Sequence, residues 1–303
     1  MEKVKKYIKL DEKNILMKEK PEIIGLDKDE NNIATINIEP TEGLWSLDLE
    51  ELWQYRELLY FLTWRDIKVR YKQAVFGFLW AFLQPFMKMV VFSVVFGGLA
   101  GMDSEGFPYP IFLYAGLLPW QFFANSLGRS GSSIVGNSNL IRKVYFPRLI
   151  IPISSVGAAL VDFGVSFLIL IGMMFYYQVM PGIQLVMVIP LVLLTVATAL
   201  GVGILISALN AAYRDFNYLQ SYLIKLWLFL TPVIYSVKKV PENFRWLISI
   251  NPMAGIVDAY RAAILGKPFD WTSLSISLLV ALLLTVIGLT YFKKVEKYFA
   301  DVL

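Results

Sequence analysis

Residues 64–85 read WRDIKVRYKQAVFGFLWAFLQP, and the stretch changes solvent partway along. Arg65, Lys68 and Lys72 stand at i, i+3 and i+7 on one helical face, while Ile67, Tyr71 and Val75 stand at i, i+4 and i+8 on another. From Val75 onward no charge occurs until Lys88, and the residues turn aromatic and aliphatic. A helix that is cationic and then abruptly apolar reads as aqueous surface running into bilayer.

The composition agrees. Of 303 residues 57% are hydrophobic and 17% charged, and the mean hydropathy is +0.57. Those values belong to a chain that crosses a membrane several times. The absence of Cys removes disulfides and thiol chemistry, and the absence of His removes the commonest metal ligand and neutral-pH proton shuttle. The net charge of +4 is modest, so its placement matters more than its sum. The first forty residues hold no apolar run of signal-peptide length, so targeting is expected to come from the first membrane helix.

Upstream of the opening stretch, residues 1–43 form a polar segment rich in Lys and acids. Alternation over 33–38 suggests a short strand within it, and the segment reads either as a solvated tail or as a docking piece for a partner. Residues 44–77 follow as an interface helix and the basic segment. Asp48 and Glu51 make a capping box, and Leu52, Tyr55, Leu59 and Leu62 form one apolar stripe beside Trp45, Trp53 and Tyr60. Glu50, Glu51, Arg56 and Glu57 interrupt this run, so it cannot span a bilayer. It reads as an amphipathic helix at the membrane interface, or else as a core helix of a small soluble domain.

Residues 78–303 then carry six apolar runs, at 78–100, 111–135, 149–177, 184–210, 218–235 and 271–292. Each reaches the roughly 20 residues a hydrocarbon core demands. Bases gather before the first run, after the second (Arg142, Lys143, Arg148) and after the sixth (Lys293, Lys294, Lys297). That pattern predicts six spans with both termini in the cytoplasm. The external segment 236–270 breaks the rule with five Lys or Arg. The expectation is an all-α polytopic membrane protein.

Catalytic signatures are missing. The chain has no GxxxxGK[ST] phosphate loop and no DxxxD pair for magnesium, so it offers no nucleotide or metal site of its own. Asp162 is the one acid well inside a span and supports no two-carboxylate chemistry. Serine nucleophiles would lack a His partner. Lys88, Arg129 and Lys225 lie within apolar runs, where a charge costs several kcal/mol unless it meets water, protein or substrate. Snorkelling to the nearer interface is the other reading, easier for Arg129 and Lys225 than for Lys88.

Two aromatic faces stand out. Tyr218, Tyr222, Lys225, Phe229 and Pro232 share one face of the fifth run, and Phe78, Phe82, Phe86, Met89 and Phe96 share one of the first. Such rings can line a path for sugars or simply pack. Gly128, Ser132 and Gly136 on the second run, and Ala197, Gly201 and Leu205 with Gly203 and Ser207 on the fourth, permit close helix approach, either within the bundle or against a second copy.

Five stretches resemble one family, the permease subunits of ABC transporters that export cell-surface polysaccharides such as O-antigen, capsule and teichoic acid. They are residues 64–85, RKVYFPRLIIPISSV at 142–156, ALNAAYRDFNYL at 208–219, LFLTPVIYS at 228–236 and NPMAGIVDAYRAAI at 251–264. Together they span most of the chain from Leu44 onward, leaving residues 1–43 uncovered. The resemblance implies a channel made with a second copy of the chain and two cytoplasmic ATPase subunits, which bind ATP and Mg. The cargo it implies is a lipid-diphosphate-linked O-antigen polysaccharide carried across the bacterial inner membrane, with membrane lipids as further contacts and no nucleic acid.

On these residues the resemblance further implies a gate at Trp64, Arg65, Lys68, Arg70, Tyr71 and Lys72, near the anionic lipid head group. It implies channel lining by Phe78, Phe82, Phe86, Lys88, Tyr218, Tyr222, Lys225 and Phe229. The ATPase-coupling loop would hold Leu140, Ile141, Arg142, Lys143, Tyr145, Phe146 and Arg148. Residues 251–265 would be an external re-entrant helix, which accounts for the misplaced positive charge. Capsule polysaccharide, teichoic acid and a drug or lipid are the alternative cargoes. A lipid-linked sugar transferase and a structural anchor are the rivals outside transport.

Overall fold

The computed structural model describes residues 49–72, 79–180, 182–213 and 215–299. The expected strand at 33–38, the capping residue Asp48, Trp45 and Phe78 lie outside them. Among the described residues every regular element is helical. In chain order these are α1 (Leu49–Gln54), α2 (Arg56–Lys72), α3 (Leu79–Phe92), α4 (Tyr109–Gly136), α5 (Ser138–Lys143), α6 (Ile150–Tyr176), α7 (Val188–Ala212), α8 (Phe216–Leu230), α9 (Glu242–Ser249), α10 (Pro252–Leu265) and α11 (Trp271–Glu296). A π-helical stretch, Ser93–Leu99, prolongs α3, and a 3-10 turn, Ile183–Met187, precedes α7.

Four helical segments are long and apolar enough to cross a membrane: Leu79–Leu99, Ile150–Tyr176, Ile183–Ala212 and Trp271–Glu296. They fall on the expected first, third, fourth and sixth spans. The second falls on α4, which is 28 residues long but does not join these four. Its position explains why. α4 packs against α3, α6, α7, α8 and α10, and Ile111 through Trp120 are buried without interruption. A helix enclosed by protein need not be lipophilic, so it tolerates Gln121, Asn125 and Arg129.

The fifth expected span, 218–235, is shorter than its apolar run. α8 holds 15 residues and stops at Leu230, which at about 1.5 Å per residue is roughly 22 Å. Pro232 cannot continue the helix, and the carbonyls of Pro232, Val233 and Tyr235 turn instead to the Arg261 guanidinium.

The interface helix also differs in detail. It breaks at Tyr55, and α2 then runs unbroken from Arg56 to Lys72, joining the amphipathic stripe and the basic segment in one element. Leu62 is buried, with Leu52, Tyr55 and Leu59 packed around it, while Trp53, Tyr60 and Phe61 are exposed on the other side.

Small residues serve two different ends. At Gly201 on α7 an added Cβ would stand 2.7 Å from Thr285 Cα on α11, and Gly288 abuts the Gly201 carbonyl. The fourth-run flank is therefore packing within the chain. A Cβ at Gly128 or Gly136 would meet nothing within 4 Å, and Ser132 between them is exposed.

α10 is almost wholly buried. Asn251 caps its start by accepting from Met253 N at 3.0 Å, and Gly266, at φ 70°, closes it in the left-handed region that suits glycine.

Candidate functional site

Four helices, α2, α3, α4 and α6, enclose a cavity of about 340 Å³. Asp162 of α6 stands in its wall and gathers three partners. Arg70 of α2 pairs with its Oδ2, the Tyr71 hydroxyl donates to Oδ1 at 2.5 Å, and Arg129 Nη2 of α4 lies 2.5 Å from Oδ2. One carboxylate thus answers two guanidinium groups. Arg129 Nη1 is buried and has no acceptor. Gln84, Gln121 and Asn125 line the same space, and Lys88 Nζ reaches Gln121 Oε1 at 3.4 Å. The cavity is therefore partly polar, cationic by one charge at its centre, and set between the basic end of α2 and the mostly apolar α3, α4 and α6.

Half-buried charges between helices need partners, and this arrangement supplies them economically. The sequence shows Asp162 as a lone acid within a span and Arg129 as a base within an apolar run, without joining them. Their shared position within spans was the available signal, since intramembrane charges pair with one another.

The remaining gate residues do not all meet here. Arg65 bonds to Asp66 at 2.8 Å and to Asn137 Oδ1 at 3.0 Å, tying α2 to the junction of α4 and α5. Lys68 is exposed over the Trp64 ring, 5.3 Å from its centroid, and Lys72 is exposed. Of the channel-lining set, Phe82 is half-buried and Phe86 exposed, while Tyr218, Tyr222, Lys225 and Phe229 share an exposed face of α8. The opposite side of α8 is anchored by Gln220, whose amide donates to Leu127 O at 2.9 Å and whose Oε1 accepts from Asn210 at 2.5 Å.

Beyond α4, the segment 138–148 forms α5 and a short extended link. Ile141 and Phe146 are buried with Leu62, Phe292 and Phe299 in one cluster, joined from the side by Leu140. Arg142, Lys143, Val144 and Tyr145 point outward. Arg148 closes the segment: its backbone N–H donates to Glu296 Oε1 at 3.3 Å, its guanidinium to the Glu296 carbonyl, and it lies 5.9 Å from the Phe299 centroid. The start of α2, the α5 segment and the end of α11 are thus one packed unit.

At the other end of α4 and α11, Glu105 organises the surface. It accepts from Ser236, from Lys238 at 3.1 Å and from Lys267 at 3.1 Å. Burial alone would raise its pKa, but these hydrogen bonds outweigh burial and bring it to about 2. Nearby, Arg261 is fully buried. It donates to the carbonyls of Phe112, Pro232, Val233 and Tyr235, with its guanidinium 3.9 Å from the Phe112 ring centroid.

Four helices long and apolar enough to cross a membrane, with charges paired between neighbours, mark a multi-pass membrane protein. The chain belongs to the ABC-2 type transporter family, whose pattern matches residues 57–265. It is similar to the O-antigen export system permease protein RfbA of Klebsiella pneumoniae, at 32% identity over 82% of this chain and 95% of that protein. It is also similar to the protein of the same name from Myxococcus xanthus, at 34% identity over 71% of this chain and 82% of the other. The polysialic acid transport protein KpsM of Escherichia coli is 23% identical over 77% and 91% respectively.

Proposed function

We propose that the chain is the channel-forming subunit of an ATP-driven exporter that moves a lipid-diphosphate-linked O-antigen polysaccharide from the cytoplasm across the inner membrane. The observation that carries this reading is the match to an O-antigen export permease along 95% of that protein's length. The cationic cavity beside α2 supports it, since a lipid-linked diphosphate is the anionic part of such a cargo. In this reading two copies form the channel, and two cytoplasmic ATPase subunits bind ATP and Mg and dock on the outward side of the α5 segment. Six spans with both termini cytoplasmic, an interfacial α1–α2 and a re-entrant α9–α10 pair complete the topology. α4 and α8 then supply the second and fifth crossings, screened from lipid by their neighbours.

Reconstitution with the ATPase subunits tests the reading. A lipid-linked polysaccharide should stimulate ATP hydrolysis and appear on the far side of the vesicle membrane. Stimulation by small amphiphiles with none by any glycan would sink it. A capsule-type polysaccharide is the second reading, favoured by the similarity to the polysialic acid transport protein, and the same vesicles loaded with a polysialic acid chain separate the two.

A further inference from the structure

We propose that the cavity between α2, α3, α4 and α6 is a seat for a diphosphate, and that Asp162 is a built-in stand-in that fills it when no diphosphate is present. The inference rests on the export reading for its substrate and adds the residues and the competition. Three observations converge. Arg70 and Arg129 come from different helices and aim at one point, where both meet the same carboxylate. The guanidinium of Arg129 is not exhausted, because its Nη1 is buried without an acceptor. Amide side chains from Gln84, Gln121 and Asn125 line the remaining space.

Two guanidinium groups offer forked donors that match phosphate oxygens, whereas a carboxylate brings only two oxygens and one charge. A diphosphate carries more of both, and a partly buried position magnifies the difference. It therefore competes with Asp162 for the same donors. When it wins, α6 loses its hold on Arg70 and Tyr71, and with them on the end of α2. Asp162 acts as a latch on α2 that the ligand's own charge releases. Binding at the seat and release of α2 are one equilibrium, and the ligand shifts it only through its stronger hold on the arginines.

The test uses the assembled transporter in nanodiscs of neutral lipid. The natural chain contains no cysteine, so Ala81→Cys places a single thiol in the cavity wall. Protection of that thiol from a methanethiosulfonate reagent is titrated with a sugar-free polyprenyl diphosphate, with inorganic diphosphate and with phosphatidylglycerol. A diphosphate should protect the thiol. Asp162→Asn should lower the half-protecting concentration about tenfold, by removing the competitor, and Arg129→Gln should raise it at least about tenfold. In an Arg129→Gln background, Asp162→Asn should still tighten binding, which keeps the test open if the single Asp162→Asn variant fails to assemble. Protection that needs the polyprenyl chain assigns the seat to a lipid-borne diphosphate; equal protection by the inorganic ion assigns it to the free one. An Asp162→Asn change that leaves protection unaltered or weakens it overturns the proposal, as does equal protection by phosphatidylglycerol. Thiol protection without glycan-stimulated hydrolysis or export defeats the export reading and leaves the seat standing. Export with an unprotected thiol does the reverse.

Discussion

Arg261 shows how a single residue can hold an irregular backbone inside a membrane protein. The carbonyls that α8 abandons at Pro232 have no water to turn to, and one buried guanidinium collects them together with that of Phe112. Arg261→Met keeps the volume but leaves those carbonyls unsatisfied, and should destabilise the protein by about 3 kcal/mol or more. Arg261→Lys should recover little of this, since an ammonium cannot present the same fork; thermal unfolding in nanodiscs measures both. Glu105 makes a second prediction, with a definite sign. Its pKa is held below the ordinary 4.5, at about 2, so its contribution to stability is complete above pH 4.5 and fades as pH falls through about 2. The parent should lose thermal stability across that window, and Glu105→Gln should show a flatter profile. The charges of this site were individually visible in the sequence, but not their pairing. Asp162 and Arg70 lie 92 positions apart, and no periodicity joins residues on separate helices.

At the scale of elements, hydropathy found what faces lipid and underrated what faces protein. Three of the four apolar segments fell within a residue or two of their expected ends, and the last ran four residues past its expected end at 292, because each presents much of its surface outward. α4 reads as apolar only through its first half, and the end of α8 differs from expectation because an apolar run continues past the last helical turn. The glycines divide along similar lines and yield a paired prediction. Gly201→Ala pushes a methyl into the α11 backbone and should cost about 1–3 kcal/mol. Gly128→Ala meets open space and should leave the stability of the single chain unchanged or slightly raised, by up to about 1 kcal/mol from helix propensity. Loss of export in Gly128→Ala with stability intact would mark that face as a contact between copies, which chemical cross-linking reads directly.

At the scale of the whole molecule, the α5 segment, the start of α2 and the end of α11 share one apolar cluster fastened by Arg148. Under the proposed coupling, a partner pressing on Tyr145 or Arg142 would move all three together. Arg148→Ala should loosen this unit, so that ATP hydrolysis persists while export falls several-fold; parallel assays on the same vesicles detect the split. The family resemblance singled out this loop as the coupling segment, but no sequence signal joined it to Glu296, which lies 148 positions away. The enclosure of α4 carries a consequence for how the protein is made. This helix leaves the ribosome before α6 exists, yet its Arg129 finds its acceptor on Asp162 of α6, while its Gln121 meets Lys88 of the earlier α3. Placed in hydrocarbon before α6 follows, it would expose a guanidinium that only that later segment can pair. Its insertion is therefore expected to be coupled to that of α6 rather than completed helix by helix.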